Sequence, residues 1–508
     1  MIDIDGHHLS LEQVVRVARD NETVAISSAG KENIERSRKN LEVILATGRP
    51  VYGINTGFGI FADRRIPQED SARLSRNLIL SHAVGTGEPL AEDVVRAAML
   101  VRANTLTKGH SGVRFEVVNT LVEMLNRGVT PVVPSQGSLG SSGDLGPLSH
   151  LALVFTADEK DLEEESGWAV YNGKRMTGKQ AMQAAGISRI ILGPKEGLAL
   201  NNGATFSAAL GALTVWDADH LAQVAEAALA LSLEAMLGCP SAFDARLHAA
   251  RGQRGQMEVA EHVRAFTAGS TLIGSTTRVQ DAYSLRCAPQ VQGACRDTLE
   301  FVRGVIETEI NAATDNPLLF DPGTALSGGN FHGEPVGMVL DFLAIALAEL
   351  AAISERRVFR MTDVNLNNGL PPMLVDHAEA AGLNSGLMMP QYTAASLVLE
   401  NQTLAHPDSV HSLPTSGEQE DHNANAMTAA RHARQVLDNA RHVLAIELYT
   451  AARAVDLRLR SAPGAKLGAG TAEIFRRIRE RVPYQAGDAW WGPEIEQVRA
   501  MICERKLV

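Results

Sequence analysis

The stretch with the most unusual chemistry is Pro134–Val154, PSQGSLGSSGDLGPLSHLALV. Gly137, Gly140, Gly143 and Gly146 surround Ser138, Ser141 and Ser142, and Asp144 precedes an apolar run with helical spacing. A phosphate cradle at a helix N-terminus would use such glycines, but no Lys-Ser/Thr follows them and Asp144 would repel the anion. A flexible linker is disfavoured by the apolar flanks VTPVVP and PLSHLALV, which pin the loop into a core. A nucleophilic serine would sit in a G-x-S-x-G turn between strand and helix, which GSLGSSG does not match. The remaining option is chemistry of the backbone itself. The amide nitrogen of Gly143 attacks the carbonyl carbon of Ser141, and loss of two waters leaves a five-membered ring bearing a methylidene from Ser142. A glycine at 143 suits this step, because a side chain would obstruct the attacking nitrogen.

Seven further strings accompany GSLGSSGDLGPLSH (Gly137–His150). They are YGINTGFG (Tyr52–Gly59), NLILSHAVGTGEPL (Asn77–Leu90), GLALNNG (Gly197–Gly203), VQDAYSLRCAPQVQG (Val279–Gly293), ATDNPL (Ala313–Leu318), SGGNFHGEP (Ser327–Pro335) and LPTSGEQEDH (Leu413–His422). In these strings and their order, over nearly its whole length, the chain resembles the histidine and phenylalanine ammonia-lyases, which carry a methylidene-imidazolone (MIO) group. The resemblance implies elimination of ammonia from an aromatic amino acid, with MIO formed from Ser141, Ser142 and Gly143 and no external cofactor. The family's usual triplet is Ala-Ser-Gly. Here Ser141 stands first, and because that residue contributes only a backbone carbonyl to the ring, serine should serve.

The same resemblance implies roles for other residues. Tyr52 would be the general base that takes the β-proton, which requires neighbouring positive charge or hydrogen bonds to make its phenolate accessible. Tyr283 would assist ammonia departure. Arg286, three residues on and so on the same helical face, would clamp the substrate carboxylate through two parallel hydrogen bonds. Asn202 and Gln280 would hydrogen-bond the substrate or the ring, and Phe331 would pack beside the electrophile. Asp144 would help the ring close. Each has a plainer reading: a packed aromatic for Tyr52 and Phe331, a surface ion pair for Arg286, capping or core amides for Asn202 and Gln280, and a helix N-cap for Asp144.

For the substrate, Ser81-His82 and Gln419-Glu420-Asp421-His422 are the histidine-type strings. Glu420 offers a charged acceptor to an imidazole N–H, whereas a phenyl ring would leave that carboxylate unpaired. L-Histidine converted to trans-urocanate is therefore expected, with Tyr52, Ser142, Tyr283 and Glu420 in catalysis and His82 in substrate binding. After His422 the chain reads NANAM, where many histidine-type relatives have a Val-Ser-Met-like run. A 2,3-aminomutase sharing the electrophile, or a tyrosine or phenylalanine ammonia-lyase, stays open; a non-enzymatic scaffold is disfavoured by the intact Tyr52, Ser142 and Arg286.

These residues need a frame to position them. The chain has 508 residues, 45% of them apolar, and a net charge of −12 that disfavours nucleic-acid and anionic-membrane partners. Cys239, Cys287, Cys295 and Cys503 show no CxxC pairing, as expected for reduced thiols in the cytoplasm. No metal is expected: His406, His411, Asp421 and His422 lack ligand spacing. No dinucleotide fingerprint occurs, nor a compelling pyridoxal-phosphate site. The apolar segments Leu221–Gly238 and Val336–Ile353 contain Glu226, Glu234, Asp341 and Glu349, which suits core helices better than membrane spans.

Most of the sequence repeats apolar residues at helical intervals, which predicts a mainly α fold. A loop-rich N-terminal domain carrying the MIO loop is expected over residues 1–205, and a long-helix bundle with a C-terminal helical appendage over 206–508. The best strand signal is GWAVYNGKRMTG, a hairpin with its turn at Asn172-Gly173. A homotetramer with shared active sites is expected: long amphipathic helices can pair between subunits, and in the resembling family the active sites combine loops from more than one chain.

Overall fold

The computed structural model describes residues Met1–Val508. It contains 18 α-helices and five small sheets, the largest of three strands, so the mainly α expectation holds. The hairpin is where the sequence puts it: Trp168–Tyr171 pairs antiparallel with Lys174–Thr177. Its turn residues Asn172 and Gly173 have φ of 50° and 70°, the left-handed pair that a tight two-residue turn requires.

The chain divides into two compact units, each assembled from three segments. The first comprises Met1–Trp216, Val302–Asp341 and Pro407–Arg431; the second comprises Asp217–Phe301, Phe342–His406 and His432–Val508. All of the loop-rich stretch up to Thr205 lies in the first unit.

In the first unit the helix Glu92–Thr107 is buried along nearly its whole length, including Arg96 and Arg102. Guanidinium groups survive there because they cap backbone carbonyls. Arg96 donates to Val17 O, Ala18 O and Leu125 O, and Arg102 to Ala199 O and Thr205 Oγ1. Burial lowers the Arg102 pKa to about 10, so it stays a cation at neutral pH. Lys195 and Asp315 form a fully buried ion pair nearby in the sequence-distant part of the same unit.

The helix Glu334–Thr362 has the length and composition of a membrane span, with two thirds of its most apolar window buried inside the protein. Asp341 within it accepts the Asp408 and Ser409 amides and the Ser409 hydroxyl, at 3.0, 2.9 and 2.6 Å. A loop thus satisfies the carboxylate inside the protein.

The second unit treats its buried acids in the same way. Glu234 accepts the Gly468 amide and the hydroxyls of Thr471 and Ser270. Glu226 binds Arg296 and His262. Glu447 binds Arg357 through two nitrogens and accepts the hydroxyls of Ser232 and Ser354. The acids in Leu221–Gly238 are therefore satisfied inside the protein, Glu226 by cations and Glu234 by an amide and hydroxyls, which suits the core helix the sequence reading expected.

Candidate active site

The Ser141-Ser142-Gly143 loop is held against the chain 60 residues later. Gly143 and Gly203 form a parallel bridge, in which the Asp144 amide donates to Gly203 O at 2.8 Å and the Gly203 amide to Ser142 O at 3.4 Å. A Cβ on Gly143 would overlap the Gly203 backbone, and one on Gly203 would overlap Thr314. Both glycines also have positive φ, 76° and 131°. Only a pair without side chains allows this approach.

Asp144 is fully buried at the start of the helix Leu145–Phe155, yet its side chain makes no cap bond to that helix. It accepts instead the Ser207 amide (2.8 Å), the Ser207 hydroxyl (2.9 Å) and the Ser138 hydroxyl (2.8 Å). Asp144 is thus the N-cap residue by position, as the sequence suggested, but its side chain does not cap that helix. Its side chain serves the first turn of the helix Thr205–Ala235, whose free amides need acceptors. Burial raises the Asp144 pKa, opposed by these hydrogen bonds. Glu309 is pushed up to about 7 by burial and by the Asp144 carboxylate.

Two cavities, of about 490 and 700 Å³, are lined wholly by the first unit. Tyr52, Gly59, Ser142, Asn202 and Glu420 line both, which makes them two lobes of one site. Ser141 and Phe331 face the smaller lobe, and His82 the larger one with Leu74, Leu78 and Leu198. The Asn202 side chain donates to Ser142 O at 3.4 Å, while its Oδ1 is buried without a partner in the chain. An unpaired buried acceptor is costly, and a ligand N–H would relieve it. Asn202 is the C-cap residue of the helix Glu196–Asn201 through its backbone amide, and its side chain is turned to the Ser142 carbonyl.

The electrostatics of two residues follow from burial. His82 is shifted down, chiefly by burial and against the pull of Glu420, which favours the neutral imidazole. Tyr52 is shifted up by burial and by the Glu420 carboxylate; the Gly59 amide works in the opposite direction. No cation lowers it, so the condition set for a tyrosine base is not met by these contacts alone.

Gln280, Tyr283 and Arg286 belong to the second unit and line neither lobe. Arg286 and Tyr283 do share a face, the guanidinium lying 4.7 Å from the ring centroid, so Arg286 makes a cation–π contact in place of a surface ion pair. Tyr283 is 71% exposed and Val279 95%, and Arg286 Nε is buried without an acceptor. The sequence reading passed over His332, His422 and Asn316 as site residues. The two imidazoles stack at 5.9 Å, and Asn316 Oδ1 accepts from Ser327 and Gly328. Their signal was present, because all three sit inside the recurring strings. No group of three or more His, Cys, Asp or Glu side chains is placed to hold a metal ion.

A family model described as aromatic amino acid lyase matches residues 9–480. The chain belongs to the aromatic amino acid lyase family. Among the relatives of this lyase is a histidine ammonia-lyase of Caldanaerobacter subterraneus subsp. tengcongensis, 51% identical over 94% of this chain and 92% of its own. Another, from Geobacillus kaustophilus, is 50% identical over 99% and 98%. Among solved structures, histidine ammonia-lyase from Trypanosoma cruzi matches the lyase with a TM-score of 0.90 at 37% identity, covering 100% of this chain and 94% of that one. Tyrosine aminomutase from Streptomyces globisporus gives 0.93 at 36% identity, covering 100% and 97%.

The residues present fit an MIO group. The Gly143–Gly203 cradle leaves no room for side chains, Ser142 borders both lobes, and the Asn202 acceptor is left open beside it.

Proposed function

We propose that the enzyme removes ammonia from L-histidine to give trans-urocanate. The observation that carries this reading is Glu420 on the wall shared by both lobes, with Ser142 and Asn202 on the same wall and His82 in the larger lobe. A carboxylate there matches an imidazole N–H and penalises a phenyl ring, which would leave the charge unpaired. The histidine ammonia-lyase relatives, about half identical over nearly the full chain, support the same substrate.

Ser141, Ser142 and Gly143 would form the MIO group, whose methylidene carbon supplies an electrophile for the substrate amine. The chain's own residues do the rest. Tyr52 Oη takes the β-proton, and Asn202 Oδ1 accepts an N–H of substrate. Phe331 walls the smaller lobe, and neutral His82 receives the imidazole side. Gln280, Tyr283 and Arg286 complete the site from another copy in a homotetramer. An incoming Arg286 would also bring Tyr52 the positive charge that its own unit does not supply. The four free cysteines suit a reducing cytoplasm.

Pure protein incubated with histidine should release ammonia and urocanate. Its intact mass should fall short of the translated mass by two waters, and Ser142→Ala should restore the mass and abolish turnover. An unshortened mass with full activity would remove the electrophile from the mechanism. The aminomutase reading is kept by the structural likeness to tyrosine aminomutase. A β-amino acid in place of urocanate would establish it.

A further inference from the structure

We infer that the Ser141 side chain is a positioning residue for Glu420, separate from the backbone role of Ser141 in ring formation; this rests on the proposed histidine reading. Residue 141 gives a ring only its carbonyl carbon, so its Cβ and hydroxyl stay outside and are free to do something else. The hydroxyl is buried, with the residue 6% exposed, and a buried donor needs an acceptor. It donates to Glu420 Oε2 at 3.3 Å.

A second hydroxyl reaches the same oxygen. Thr415 Oγ1 lies 3.4 Å from Glu420 Oε2 and shares its proton with the Glu420 carbonyl at 3.3 Å, and the two residues are tied by reciprocal backbone bonds of 2.8 and 3.2 Å. Both hydroxyl contacts are long for O–H···O bonds, so each is individually weak. Together they make the two carboxylate oxygens unequal. Oε2 is turned to Ser141 and Thr415, while Oε1 accepts nothing from the chain and is left for a ligand N–H. An alanine at 141 would remove one of the two restraints and let the carboxylate rotate. The consequence is a less well-placed acceptor for the imidazole, with ring formation untouched.

The test is a double-mutant cycle on the full-length enzyme, using Ser141→Ala, Glu420→Gln and the pair, with intact mass and histidine kinetics measured for each. Ser141→Ala should keep the two-water mass deficit of the wild type. It should lower kcat/KM for histidine about three- to tenfold, the loss of one modest hydrogen bond, with the change carried at least partly by KM. In the Glu420→Gln background the same substitution should add nothing measurable, because the charged acceptor it orients is gone. The inference is overturned by an unshortened mass in Ser141→Ala, unchanged histidine kinetics, or an equal loss in the Glu420→Gln background. A loss confined to kcat would overturn it as well. A wild type that does not turn over histidine would instead sink the substrate reading, so the two failures are distinguishable.

Discussion

The core acids of the second unit and the cavity wall of the first treat polar groups in opposite ways. In the second unit Glu226, Glu234 and Glu447 are saturated, each carboxylate meeting cations, hydroxyls or amides on both oxygens. In the first unit the cavity wall leaves groups open. Asn202 Oδ1 has no partner, Glu420 lines both lobes, and burial raises Tyr52 with no cation among the groups that shift it. Saturated carboxylates hold helices together, and nothing remains for a ligand to gain from them. Open ones cost stability in the empty protein and repay it on binding, which is where an active site differs from a core.

Four substitutions can break or sharpen this contrast. Tyr52→Phe should show the largest effect, lowering kcat by about 10²–10⁴-fold, as expected for loss of a proton-transferring group. Its melting temperature should stay at the wild-type value, and a stable variant with normal turnover would take Tyr52 out of the chemistry. Glu447→Ala should do the reverse. It strands Arg357 in a dry core and should cost about 3–5 kcal/mol in chemical denaturation. A fully stable Glu447→Ala protein would show that saturation in this unit is not what holds it.

Glu420→Gln should come next, with kcat/KM on histidine down about ten- to a hundredfold for a lost charge-assisted bond, and little change in melting temperature. Coupled loss of activity and stability would make Glu420 a structural acid like Glu447. The smallest effect belongs to Glu309, whose carboxyl is raised from an ordinary 4.5 to about 7 by burial and the Asp144 charge. Below pH 4.5 both folded and unfolded chains hold this proton. Between 4.5 and 7 only the folded chain does, so wild-type stability falls as pH rises through that window and levels off above it. Glu309→Gln should therefore melt near the wild type at pH 4.5 and above it at pH 8, and parallel melting curves at both would contradict the shift.

Much of this was legible in the residues because it is local. Asn172-Gly173 specifies its own turn, and the Ala- and Leu-rich spacing specifies its own helices. The recurring strings brought Tyr52, His82, Ser142, Asn202, Phe331 and Glu420 to one site, since a shared family preserves how loops converge. What escaped is what long-range packing decides. The plainer reading of Asp144 was a side-chain cap for its own helix, but Ser207 claims that carboxylate from 63 residues away. Ser141 looked like a silent replacement, while its hydroxyl partner lies 279 positions downstream. Gln280, Tyr283 and Arg286 match their motif, yet line neither lobe; a linear pattern does not say which side chains share a cavity.

The pairing of Gly143 with Gly203, and of Asp144 with Ser207, also bears on timing. The reactive loop is complete in the nascent chain long before its partner strand leaves the ribosome. Constrained only by its own sequence, it lacks the backing that forces Gly143 against Gly203 and holds Asp144. An electrophile made in that loop would consequently be made late, after the start of the Thr205–Ala235 helix has docked. A two-water mass deficit would then mark only chains that have already folded across that span.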